Sequence, residues 1–144
     1  MDKWSRGAGE VPEAPLDVLA WIRVADRKLL TVRTDGKKLF YLPGGKREPG
    51  ESDPAGLARE LREELGVTID ASTLRLFDVV TDAADGFAGG RRVRMTCYQV
   101  DHTGELAVGA EIAELAWVST ADAERCAPAT RQVLRALANQ GLVD

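Results

Sequence analysis

Apolar positions change their period twice along this chain. Residues 16–25 and 28–34 form two short apolar runs, partly β-branched and split by Asp26-Arg27, a pattern that predicts a β-hairpin. Asp35-Gly36-Lys37-Lys38 reads as the next turn, and residues 39–42 as a short strand entering the loop Pro43-Gly44-Gly45. From Asp53 the period becomes helical. Leu57, Leu61 and Leu65 recur every four residues, Asp53 reads as the N-cap, and Pro54 stands at the first helical position, where its missing N–H costs nothing. Gly66 sits where such a helix would stop. Strand-like segments at 74–81 and 91–100 flank a glycine-rich loop, 82–90, that holds Phe87. Another short strand is expected at 115–119. Short helices are expected near 121–126 and after Pro128, the latter with an apolar stripe of Val133, Leu134 and Leu137. Residues 1–15 carry Gly7, Gly9, Pro12 and Pro15 and read as a loose or draped arm, leaving 16–144 as the domain. This order of elements predicts an α+β fold with a mixed β-sheet and helices on its faces.

Composition narrows the function classes. At 144 residues the chain is one domain long and needs no disulfide or metal staple to fold. With 44% apolar and 29% charged residues, it is neither disordered nor collagen-like nor a disulfide scaffold. The net charge of −4, without a long basic run, argues against binding long nucleic acid. The longest apolar stretch, 18–22, is far short of a membrane span, and the first seven residues show no apolar signal region. No membrane association is expected, and the cytoplasm is the expected address. Cys97 and Cys126 have neither disulfide-framework nor zinc-site spacing.

The helix from Asp53 carries the chemistry. At 100° per residue, Glu60, Glu63 and Glu64 fall within an arc of about 100°, beside the leucine stripe. Like charges at i,i+4, such as Glu60 and Glu64, cost about 0.2–0.5 kcal/mol. A hard divalent cation offsets that cost, because Mg²⁺ takes oxygen ligands from carboxylates, water and phosphate. Taken alone, the helix also fits a solvated face with an ordinary Arg59–Glu63 pair. The upstream segment shifts the balance. Pro43-Gly44-Gly45-Lys46 runs through Pro49-Gly50-Glu51 into the helix. Its glycines let backbone N–H groups approach phosphate oxygens, Lys46 adds a point charge, and Glu51 adds a fourth carboxylate. Together they describe a metal–diphosphate site.

Here the pattern resembles a known family. Gly45, five residues, Glu51, seven residues, then Arg59-Glu60-Leu61-x-Glu63-Glu64-x-Gly66-Val67 matches the Nudix box of the Nudix (MutT-like) hydrolases. Its seven fixed identities would coincide by chance at about one in 10⁸ starting points. The box spans 45–67, and the surrounding strand order is similar to the family's α/β/α sandwich. The resemblance implies hydrolysis of a nucleoside diphosphate linked to another moiety, with Mg²⁺ or Mn²⁺ as cofactor. It implies Glu63 and Glu64 as core metal ligands, the Gly44 carbonyl as a further ligand, and Glu60 as a ligand or the base that activates water. It implies that Arg59 holds the glutamates in place and that Glu51 supports the loop–helix junction. Gly45, Lys46 and Glu51 are the expected substrate-binding positions.

Many members add one acid from a loop well after the box. Counting back from Trp117-Val118-Ser119, Glu111 occupies that place, with Glu105 and Glu114 as alternatives. His102, the lone histidine, lies outside the box and reads as a surface residue. Trp21, Phe87 and Tyr98 suit either packing or stacking on a base. The proline that ADP-ribose members show past the box is absent, residue 82 being Asp with no proline before Pro128. Ala84 and Asp85 stand where dinucleoside polyphosphate members often show tyrosine, and 29–45 lack the coenzyme A signature. Small size and Pro-Gly-Gly-Lys are most similar to the compact nucleoside triphosphate pyrophosphatases. A small-molecule nucleotide is therefore the expected partner, with the protein a monomer or homodimer. A Nudix-fold nucleotide-binding or regulatory module is the alternative, favoured only where box glutamates are lost. An isoprenyl diphosphate isomerase normally needs an upstream cysteine, and none stands upstream of the box here.

Overall fold

The computed structural model describes residues 14–87 and 89–144, so the arm expected at 1–15 lies, apart from residues 14 and 15, outside the described residues. The elements are β1 (Leu16–Trp21), β2 (Val24–Ala25), β3 (Lys28–Thr34), β4 (Gly44–Lys46), α1 (Asp53–Leu65), β5 (Thr68–Ala83), β6 (Arg92–Thr103), β7 (Ile112–Val118), a 3₁₀ helix (Thr120–Arg125) and α2 (Pro128–Asn139). Two sheets form: a four-stranded one in the order β4-β1-β6-β5 and a three-stranded one in the order β2-β3-β7. The first is mixed, because β1 runs parallel to β6 and antiparallel to β4. The second is antiparallel. The expected α+β class holds, with the mixed sheet accompanied by a separate antiparallel one.

Strand alternation explains the two cores. Successive side chains point to opposite faces. On β1, Leu19 and Trp21 join Leu30, Val32, Leu57, Leu61 and Leu65 in the cluster under α1. Ala20 and Ile22 face the other way, into a cluster with Leu29, Met95, Val133, Leu134 and Leu137 under α2. The continuous apolar run 18–22 thus marks a strand packed on both faces. The layers are helix, sheets, helix.

Several local expectations are corrected. The run 16–25 is not one arm of a hairpin: it breaks after Trp21, and only β2 pairs with β3. The break lets β1 enter the other sheet, beside β6. The tight turn at Asp26-Arg27 has positive φ at both residues (50° and 62°), which is costly for non-glycine residues. Arg27 is held there by Asp144 (2.5 Å) and the Gly141 carbonyl (2.8 Å). The strand expected at 39–42 reduces to single bridges from Phe40 to Cys126 and from Tyr41 to Val32. The expected loop Gly44-Gly45-Lys46 is itself a strand. Strands β5 and β6 extend well past 74–81 and 91–100, and 121–126 is a 3₁₀ helix.

Helix α1 starts one residue from expectation. Ser52, not Asp53, is the N-cap, its hydroxyl accepting from the Ala55 N–H at 3.3 Å. Asp53 instead pairs with Arg47 and accepts from the Tyr98 hydroxyl at 2.5 Å. Pro54 sits in the first turn and Gly66 closes the helix in the left-handed region (φ 68°), both as expected. The leucine stripe is fully buried. Leu61→Ala should therefore destabilise the protein by about 2–5 kcal/mol, read as a lower denaturant midpoint with an unchanged slope.

Candidate active site

Strand β4 is pressed against its neighbours closely enough to exclude side chains. A Cβ at Gly44 (φ 142°) would lie 1.9 Å from the Leu19 carbonyl oxygen. A Cβ at Gly45 would lie 2.5 Å from the Glu60 carboxyl carbon. Glycine at both positions thus brings the backbone of β4 onto the acidic face of α1. The Gly44 N–H donates to Glu64 Oε1 at 2.8 Å.

Arg59 organises the entrance to the helix. Its Nε and Nη2 donate to the two oxygens of Glu51 at 2.8 and 2.9 Å, a bidentate pair. Its Nη1 donates to Glu60 Oε1 at 2.8 Å, and its Nη2 also reaches the Lys46 carbonyl at 3.2 Å. Glu51 turns back to accept from the Glu48 N–H at 3.1 Å. Bonding to the Arg59 guanidinium, reinforced by that N–H, holds the Glu51 carboxyl down at about 2. The same partners push the Arg59 pKa up.

Glu64 has the opposite environment. Burial pushes its carboxyl up to about 8 against the pull of the Gly44 N–H, and the charges of Glu60, Glu111 and Glu63 push the same way. Glu63 stands at the rim with 63% of its side chain exposed. The late loop is tied to the far end of α1. The Gly109 N–H donates to the Glu64 carbonyl at 2.7 Å, and the Ala107 N–H to the Leu65 carbonyl at 2.9 Å. A Cβ at Gly109 would lie 2.2 Å from the Glu63 carbonyl oxygen, so the approach requires glycine. That tie carries Glu111 to where its charge acts on Glu64. Glu114 lies on β7 and is paired with Arg33 at 2.9 Å, while Glu105 is exposed.

A cavity of about 390 Å³ opens beside these groups. Gly44, Gly45, Lys46 and Glu64 line one part of it. Tyr41, Asp85 and Phe87 line another, with Leu16, Val18 and Met95 between. Of the aromatic candidates, Trp21 is core, fully buried with its Nε1–H donating to the Val100 carbonyl at 3.3 Å. Tyr98 is occupied at the start of α1, and Phe87 alone of the three lines the cavity. His102 packs edge-on to Trp21 with ring centroids 5.1 Å apart, and burial lowers its pKa. Gly44, Gly45, Lys46, Glu51, Arg59, Glu60 and Glu64 are thus gathered in one place, with Glu63 at the rim and Glu111 adjacent. Tyr41, Asp85 and Gly109 were missed from sequence. A tyrosine in an apolar stretch and a glycine in a loop carry no signal of their own.

Among the described residues, no three acidic, histidine or cysteine side chains converge on a point that would hold a metal ion. Glu60 is turned toward Arg59 and Glu64 toward Gly44. The donors are nonetheless hard carboxylate oxygens in excess over local cations, the set a divalent cation prefers. Re-aiming Glu60 and the exposed Glu63 is the adjustment such an ion requires.

Fold and site together define a class: a layered α/β hydrolase whose acidic helix, backed by a glycine strand, faces a cavity. The family model of the NUDIX domain matches residues 14–137, and the chain belongs to that family. The fold is similar to that of the Escherichia coli ORF135 protein, at 30% identity over 85% of this chain and 88% of that one, with a TM-score of 0.63. A MutT NUDIX hydrolase from Burkholderia pseudomallei shares 24% identity over 85% of this chain and 98% of its own, with a TM-score of 0.69. The MutT protein from Methanosarcina mazei shares 20% over 92% and 99%, with a TM-score of 0.68. The last two likenesses speak to the fold. The chain is a Nudix pyrophosphohydrolase, of a family that acts on small-molecule nucleoside diphosphate derivatives and generally uses divalent metal ions. No helix among the described residues is long and apolar enough to cross a membrane.

The Glu51–Arg59 pair predicts an acid-stability signature. A carboxyl whose folded pKa lies near 2, below its ordinary 4.5, contributes stability that is full above 4.5 and is lost as pH falls toward 2. The melting temperature of Glu51→Gln should therefore lie below that of the unmodified protein at pH 6. The gap should close as both are titrated from pH 4.5 toward pH 2.

Proposed function

We infer that this protein hydrolyses a nucleoside triphosphate to the monophosphate and pyrophosphate, using Mg²⁺ or Mn²⁺. The observation that carries the reading is the shared wall. The glycine strand and Glu64 border the same cavity as Phe87 and Tyr41, so acids and an apolar, aromatic-lined space adjoin. A nucleotide presents that same pairing of a polyphosphate and a flat base.

In this reading Glu63, Glu64 and Glu60, with the Gly44 carbonyl, would hold the metal. When bound, the ion neutralises the diphosphate, polarises phosphorus and lowers the pKa of a coordinated water. Lys46 offers its charge to a phosphate, and Gly45 gives the backbone close access to it. Arg59 positions Glu51 and Glu60 through the bonds described above, and Glu51 braces the junction between loop and helix. Glu111 accepts the proton of the attacking water. The water oxygen bonds to the α-phosphorus, the α–β bridging bond breaks, and pyrophosphate leaves with the bonding electrons. The Glu111 carboxylate suits that role because its charge already acts on Glu64 across the site.

Turnover should vanish on chelation and return with Mg²⁺ or Mn²⁺. Glu64→Gln should lower it by orders of magnitude while circular dichroism stays native, since a glutamine oxygen still accepts from Gly44. Chromatography should give monophosphate and pyrophosphate. Diphosphate with orthophosphate, or normal turnover of Glu64→Gln at saturating metal, overturns the reading.

Glu111→Gln should lower turnover by about 10²–10⁴-fold, the range of a general base. Glu114→Gln should do much less, since Glu114 is engaged with Arg33. Parallel steady-state assays of the Glu105, Glu111 and Glu114 substitutions check the assignment.

A further inference from the structure

The end of the cavity away from the acids is bordered by the loop between β5 and β6, which is pinned from two sides. The Tyr41 hydroxyl donates to Asp85 Oδ2. The Lys37 ammonium lies 6.0 Å from the centroid of the Phe87 ring, and a Cβ on Gly86 would come within 2.6 Å of Lys37 Nζ. Tyr41 is fixed in turn by paired backbone bonds with Val32, both 2.8 Å. A carboxylate, a phenol, an ammonium and a phenyl ring therefore meet on a wall that is otherwise apolar. An apolar wall alone would accept any flat ring. An acceptor beside a cationic donor discriminates among rings by their edges.

The geometry points to Asp85 and Lys37 as the base-selecting pair of this enzyme, favouring nucleotides whose base carries both an exocyclic amine and a carbonyl, the guanine or cytosine class. The inference rests on the nucleotide reading above. Asp85 has a second carboxylate oxygen beyond the one that Tyr41 engages, and a carboxylate only accepts. An amine suits it, and the Lys37 ammonium suits a carbonyl. Guanine and cytosine present both groups, adenine has an amine without a carbonyl, and thymine has carbonyls without an amine. Phe87 supplies a face on which the selected ring stacks. Tyr41 acts through Asp85 and is a positioning residue.

The test is kcat/KM for dGTP, dCTP, dATP and dTTP, alongside calorimetric binding of the four monophosphates to metal-free protein. At least one of dGTP and dCTP should exceed both dATP and dTTP by about tenfold or more, the value of one good hydrogen-bond pair, and mainly through KM. Asp85→Asn should narrow that gap, and Tyr41→Phe should narrow it partway. Equal kcat/KM across the four bases, or a ratio unmoved by Asp85→Asn in protein with native circular dichroism, overturns the inference. If no triphosphate is hydrolysed with either metal, the functional reading above falls. The monophosphate series then still decides whether the cavity selects bases as stated.

Discussion

Everything at the site depends on one backbone lying where no side chain fits. Strand β4 packs with Gly44 against the Leu19 carbonyl and Gly45 against the Glu60 carboxylate. That contact aligns β4 with β1, and β1 carries Leu19 down onto α1, where Leu19 Cδ1 lies close enough to Gly56 to exclude a Cβ there. Sheet, glycine strand and helix are thus held at backbone distances rather than by interdigitating side chains. Such contacts leave little play, and catalytic groups misplaced by an ångström lose much of their effect.

Charge is distributed around that frame unevenly. At the helix entrance, Arg59 satisfies Glu51 and Glu60 together. Deeper in, Glu64 has only one N–H partner and three carboxylates pressing on it. The protein therefore neutralises the rim and leaves the interior acid undercompensated. This is the arrangement expected where the missing positive charge comes from outside the chain.

Much of this was legible in the residues. The spacing of Leu57, Leu61 and Leu65 gave α1, and Gly66 gave its end, because a helix repeats its contacts locally. The box placed seven of the gathered residues in advance. What escaped is non-local. Nothing in 16–25 reveals that β1 leaves its hairpin for a parallel partner near residue 95. Nothing in Gly44-Gly45-Lys46 distinguishes a strand from a loop until β1 lies beside it. Ser52 and Asp53 are both good caps by type, and the choice turned on Arg47 and Tyr98 drawing Asp53 away. The Tyr41–Asp85 contact joins residues from separate loops, and only folding brings them together.

The hydrogen bonds from Ala107 and Gly109 to the last carbonyls of α1 bear on how such a site can be moved between proteins. A helix end leaves its final carbonyls without intrahelical partners, and here a segment some forty residues downstream satisfies two of them. The 45–67 segment is therefore not a portable cassette. Grafted alone onto another scaffold, it would arrive with an unfinished helix end and without its late acid. The transferable unit is two stretches of chain, and the spacing between residues 107 and 111 belongs to the motif as much as the box does.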